Sequence, residues 1–148
     1  MKIQSNIITK KKDMNSMINF VVKKGNKNIA ESIVRKALFL FAKTYKKKNT
    51  YMHIRTSVKN VTPIVNVVVH KRKHRSFQVP KPLTKEKKLF LINKWLLSSS
   101  RSGAKQNMYK NLSNELYLST IARSYANKKR KELHALAISL RKKTKRKF

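Results

Sequence analysis

The side chains able to do acid–base or metal chemistry are few: Asp13, Glu31, Glu86, Glu115 and Glu132, with His53, His70, His74 and His134. No two of these carboxylates stand at a spacing that pairs them for proton transfer or for holding two metals. Glu31 and Glu86 fall where helices should start, and Asp13 lies in a polar leading segment. His70 and His74 are four apart but occupy a charged turn with no third ligand. The absence of cysteine removes thiolate metal sites and disulfides alike. Two glycines, Gly25 and Gly103, cannot build a phosphate-binding loop. The residues therefore argue against an enzyme, and no metal, cofactor or small-molecule substrate is expected.

What the chain holds in abundance is positive charge: 38 Lys plus Arg against 5 Asp plus Glu in 148 residues, a formal +33. A compact chain so charged repels itself, so its partner should be a polyanion. The charge is spread from Lys2 to Lys147. A membrane partner would require a span or an amphipathic anchor, and no apolar run approaches the ~20 residues of a span. An acidic protein partner has no specific support. Nucleic acid is the expected partner, bound with a steep salt dependence through counterion release. A general DNA-compacting protein and a membrane-active helical protein are the rival readings. Competition with duplex DNA would test the first, and liposome binding the second.

Lysine outnumbers arginine roughly threefold, although arginine is the better bidentate phosphate ligand. Asn, Ile, Lys, Phe and Tyr are common while Gly and Ala are scarce, the usage of an AT-rich genome such as an organelle's. The start, Met1 to Ile8, has neither a secretory hydrophobic region nor an Arg-rich transit pattern. Organelle-encoded synthesis is the expectation.

The periodicity predicts a mainly α fold: six helices with a basic β-hairpin projecting between the third and fourth. Residues 1–13 form a basic arm, 14–140 the folded domain, and 141–148 a basic tail. Met14, Met17, Ile18, Val21 and Val22 make one stripe of a helix ending at Lys24, with Gly25 as C-cap. Asn28 with Glu31 three residues on reads as a capping box opening the second helix. A third helix spans about 51–60. Ile64–Val69 and Ser76–Val79 read as strands of a hairpin arm over 64–80, with His70 to Arg75 at its tip and Pro80 and Pro82 stopping it. Thr84 caps a fourth helix whose buried face is Leu89, Ile92, Trp95, Leu96 and Ser99. A fifth runs from about Lys105 to Tyr125. Asn127 to Lys131 is a basic junction before a sixth helix that dissolves at Arg141. Trp95 is expected in the core, whereas Phe77 and Tyr109 could either stack on bases or pack against the ribbon and the bundle.

Several segments, taken in order, resemble a known family. Ile18-Asn19 followed by Lys23-Lys-Gly-Asn-Lys-Asn-Ile-Ala-Glu-Ser-Ile-Val34 is similar to an opening "IN…KKGKKSLAERIV". Gln78-Val-Pro80 after an aromatic stands where that family has "YQVP". Trp95-Leu96, Arg101, Met108, Leu112 and Asn114-Glu-Leu116 follow at its distances, and Lys128-Lys-Arg-Lys-Glu-Leu-His134-Ala-Leu-Ala137 is similar to "KKREDTHRMA". The chain thus resembles small-subunit ribosomal protein 7, over most of its length and without a gap from Pro63 to Ala137.

The resemblance implies the same six-helix domain with a hairpin arm. It implies a structural protein that binds the 3′ major domain of small-subunit rRNA, nucleates folding of the head, and lies beside the exit-site tRNA and the mRNA exit path. Neighbouring head and platform proteins, including protein 11, would be partners. Carried over, Lys23, Lys24 and Lys27 would hold rRNA phosphates at the first interhelix loop. Lys71, Arg72, Lys73, Arg75 and Gln78 would form the rRNA-binding arm, with Arg72, Lys73, His74 and Arg75 closest to exit-site tRNA and mRNA. Arg101, Lys105, Asn107, Lys128, Lys129, Arg130 and Lys131 would add rRNA contacts. The family's glycine pair at the hairpin tip is here Lys73-His74, and its aromatic C-terminus is replaced by Arg141-Lys-Lys-Thr-Lys-Arg. Lysine does not reach φ > 0 cheaply, and tail contacts are not carried over. These departures favour a mitochondrial ribosome over a plastid or an AT-rich bacterial one.

Overall fold

The computed structural model describes residues 14–45, 50–72, 75–102 and 107–145. The basic arm 1–13, the hairpin-tip residues Lys73 and His74, and Lys105 lie outside the described residues. Helix α1 covers 14–21, followed by α2 (Lys27–Tyr45), α3 (Thr50–Val61), strands β1 (Val65–Arg72) and β2 (Arg75–Pro82), α4 (Lys85–Ser102), α5 (Met108–Thr120) and α6 (Tyr125–Lys145). The mainly α architecture and the place of the hairpin agree with the sequence reading.

Helix α5 is the central post, packed against α2, α3 and α4. Its Leu112 and Leu116 are fully buried with Val34, Ala37 and Phe41 of α2, Val61 of α3, and Leu96 and Leu97 of α4. Helix α1 is held to α4 by an edge-to-face contact of Phe20 on Phe90, centroids 5.2 Å apart. The Asn93 amide also donates to Ser16 Oγ at 2.8 Å. Helix α6 packs on α4 and on both strands.

The structure corrects several boundaries. Helix α1 stops before Lys23, because Lys24 (φ 51) and Gly25 (φ 78) are both left-handed. Helix α2 starts at Lys27, and the Asn26 carbonyl accepts the N–H of Ala30. Asn28 is therefore inside the first turn, and Glu31 pairs with Arg35 at 2.6 Å instead of closing a capping box. The buried face of α4 is Ile92, Asn93, Leu96, Leu97 and Ser100. Trp95 is only partly buried, packed against the edge of the core. Helix α5 ends at Thr120, and Ala122 turns the chain with φ 60. The basic run 127–131 is consequently the opening of α6 rather than a junction, and that helix persists through Lys145.

In the ribbon, strand β1 begins one residue later than expected but runs on to Arg72, and β2 extends beyond the expected 76–79 in both directions. Register pairs run from Val65↔Pro82 to Arg72↔Arg75, so Lys71, Arg72 and Arg75 sit on paired strands rather than in a tip loop. The prolines do not stop it. The Leu83 N–H donates to the Ile64 carbonyl at 3.2 Å, which makes that pair a hydrogen-bonded one. By alternation Val65↔Pro82 and Val67↔Pro80 are then non-hydrogen-bonded pairs. Each proline nitrogen faces outward, where no donor is needed.

Candidate nucleic-acid interface

The start of α6 shows how its basic residues are presented. Ser124 Oγ accepts the N–H of Asn127 at 3.1 Å, and Glu115 Oε1 accepts that of Ala126 at 3.2 Å. Two of the helix's unpaired donors are thereby satisfied, and a buried carboxylate faces the positive end of the helix dipole. From this fixed end Lys128 and Lys131 are exposed, whereas Lys129 and Arg130 are engaged. Lys129 pairs with Glu132 at 2.9 Å and lies 5.5 Å from the centre of the Tyr125 ring. Their shared hydrogen bond holds the lysine above its ordinary pKa and the glutamate below its own.

Arg130 turns inward. Its Nη1 donates to the Asn60 carbonyl in the last turn of α3, and the Asn60 amide donates to the carbonyls of Ser119 and Thr120 at 3.1 and 3.0 Å. The C-terminal ends of α3 and α5 are satisfied in one knot, which the Ser57–Ser119 hydroxyl contact and Asn127 complete. Arg101 plays a matching part at the other end of α5. Its Nη2 donates to the Phe20 carbonyl near the end of α1, at 3.0 Å.

The cations therefore gather in two places. Arg101 is brought to the turn that carries Lys23, Lys24 and Lys27, all four exposed. Asn107, also exposed, precedes α5 at the same end, with its carbonyl accepting from Lys110. Lys128 and Lys131 stand at the foot of the hairpin, because Arg130 holds α3 just before the chain enters β1. The 13 residues of α5 separate the two groups, a distance of about 20 Å. The ribbon then projects from the second group. Val69 is 54% exposed and Phe77 42%, so the apolar side chains of its far half are about half open to solvent, and Lys71, Arg75 and Gln78 are exposed.

Among the described residues no acidic side chain is paired with that arm. Of the four acids among the described residues, Glu31 and Glu132 are ion-paired, Glu115 is buried under α6, and Glu86 is in the first turn of α4. The register also sets Arg72 directly opposite Arg75. No group of three acidic or histidine side chains that could hold a metal occurs among the described residues. No helix among them is long and apolar enough to cross a membrane.

Residues 1–141 match the family model for ribosomal protein S7p/S5e. The chain belongs to this family. Over 125 residues it is 30% identical to the small ribosomal subunit protein uS7 of Verminephrobacter eiseniae, covering 84% of this chain and 80% of that one. The uS7 of Xylella fastidiosa is 32% identical over 120 residues, covering 81% and 76%. That of Stenotrophomonas maltophilia is equally similar, at 32% over 120 residues. As an S7p/S5e protein the chain is a non-enzymatic structural constituent of the small ribosomal subunit.

Reading the sequence alone missed the split among the arginines. Arg101 and Arg130 each commit a guanidinium nitrogen to a backbone carbonyl of another helix, whereas Arg35 pairs with Glu31 on the surface of α2. A signal existed for Arg130: it lies one helical turn before His134 on the face that must meet the hairpin.

Proposed function

We propose that this S7p/S5e protein binds the 3′ major domain of small-subunit rRNA and nucleates assembly of the subunit head. The observation that carries the reading is the projecting ribbon with Lys71, Arg72 and Arg75 and no acidic counterpart among the described residues. Like charges placed directly across a ribbon destabilise it, and closely spaced phosphates would reverse that effect. The exposed lysines of the α1–α2 turn with Arg101, and Lys128 and Lys131 at the hairpin foot, would hold two further stretches of backbone. With about 20 Å between them they would neutralise converging phosphates so that separate rRNA helices pack. Phosphate contacts of this kind position rather than read sequence, so no single residue carries the activity.

We also propose that the distal hairpin, with Arg72, Lys73, His74 and Arg75, lies beside exit-site tRNA and the mRNA exit path, with platform protein 11 among the neighbours. The lysine bias and AT-rich residue usage support a mitochondrial ribosome encoded in the organelle. Depleting the protein should block head assembly, and cross-linking in the native particle should map Lys71 and Lys128 to the 3′ major domain. Intact small subunits with a normal head in its absence would overturn the proposal.

A further inference from the structure

One aromatic side chain of α2 is left unused by the core. Phe39 is 74% exposed, the most exposed large hydrophobic among the described residues. With Leu40 and Tyr109, the latter from the first turn of α5, it lines an open groove of about 460 Å³ rimmed by Arg35 and Lys36. A second open notch, lined by Asn28, Glu31, Ser32, Arg35 and Lys36, continues the groove toward the start of α2. Asn28, Ser32, Arg35 and Phe39 recur at three- and four-residue steps, so they share one helix face. That face spans about 16 Å. It leads from the α1–α2 turn with its exposed lysines to the two aromatic rings.

The chemistry of the groove selects its occupant. Aromatic faces beside cations suit a flat π-system carrying negative charge, which describes an unpaired nucleotide. An apolar protein side chain would fill the same space, but it would strip water from Lys36 without giving it an anion. Lysine is depleted from protein interfaces for this reason. Glu31 engages Arg35 through Nη2, which leaves the other guanidinium nitrogens for a phosphate.

We infer that this groove binds an unpaired nucleotide of single-stranded RNA, its base stacked on Phe39 beside Tyr109 and its flanking phosphates against Lys36 and Arg35. The inference rests on the reading of the chain as an RNA-binding protein, but it concerns a site apart from the hairpin and the α6 cluster.

The test uses the full chain with two probes at raised salt, a short oligouridine and an RNA duplex of equal length. Phe39→Ala should lower affinity for the single strand about tenfold, the effect of losing one stacked base, and change duplex affinity less than twofold. Phe39→Trp should restore single-strand binding. Lys36→Ala should flatten the single-strand salt slope by about 0.7. Because Phe39 lies off the core, an unchanged thermal midpoint is expected for each variant. Unchanged single-strand affinity in Phe39→Ala would overturn the inference and leave the groove to a protein neighbour, as would an equal loss for both probes. Failure of the unaltered chain to bind an rRNA head fragment would instead overturn the proposed function.

Discussion

Nε2 of His134 accepts the backbone N–H of Ile64 at 3.1 Å, joining α6 to the residue that leads into β1 across 70 positions of sequence. Ile64 and Leu83 continue the ribbon's register, and Leu83 donates to the Ile64 carbonyl. The Ile64 N–H turns instead to the histidine. The imidazole thus anchors the foot of the hairpin, and only its neutral form can accept there. Burial, and then the charge of Arg130, hold its pKa below the ordinary histidine value.

His134 should make stability fall on acidification. Its folded pKa lies below the unfolded value of about 6.5, so the contribution is full above that pH and is lost as pH falls through the folded pKa. His134→Phe should cost about 1 kcal/mol at pH 7.5 and flatten the decline below about pH 6.5. Urea midpoints against pH would show it, and identical pH slopes in both proteins would contradict the assignment.

Neighbouring cations of α6 should separate by role. Arg130→Ala leaves the Asn60 carbonyl without its charged donor and should destabilise by about 2 kcal/mol. Lys131→Ala, on the exposed face, should stay within about 0.5 kcal/mol while weakening RNA binding. Chemical denaturation and RNA titration of the two variants would distinguish a helix tie from a phosphate contact.

The capping of α6 predicts a graded pair. Ser124→Ala should cost about 1 kcal/mol. Glu115→Ala, which strands the Ala126 N–H in a buried place, should cost about 2 kcal/mol, and Glu115→Gln should cost less because it keeps an acceptor. Equal losses for the alanine and glutamine variants would place the effect in charge alone.

Backbone strain predicts opposite signs at adjacent residues. Nothing lies within 4 Å of a Cβ built on Gly25, so Gly25→Ala should cost about 1 kcal/mol from its left-handed φ alone. Lys24→Gly relieves the same strain and should be neutral or slightly stabilising. Thermal midpoints would check both.

Replacing Lys71, Arg72, Lys73 and Arg75 together by alanine should flatten the salt dependence of rRNA affinity by roughly one unit per lost phosphate contact. An unchanged slope would reassign the arm to solvent or to protein.

Much was legible before any fold was known. The apolar stripe of α1 contained the buried Ile18 and Val21, because a helix can bury only one face, although Met14 of the same stripe is exposed. The β-branched run from Ile64 to Val69 showed the hairpin, and the near absence of acids pointed to a polyanion. Boundaries were harder where local signals compete. Lys24 and Ala122 adopt left-handed backbone that their residue types do not announce. Pro80 and Pro82 look like breakers until the alternation of ladder bonds shows their nitrogens facing outward.

By itself the sequence determined the class of partner and the number and order of elements, since charge and apolar periodicity are properties of composition and spacing. Only tertiary structure decided which cations remain to meet RNA. Helix ends leave carbonyls needing donors, and the packing of α1 on α4 and of α3 on α6 brought Arg101 and Arg130 to two of them. A guanidinium has nitrogens to share between a carbonyl and solvent, whereas the lysines around it stay outward. The same packing left Phe39 beside Tyr109, on a face that periodicity alone would have counted as solvent.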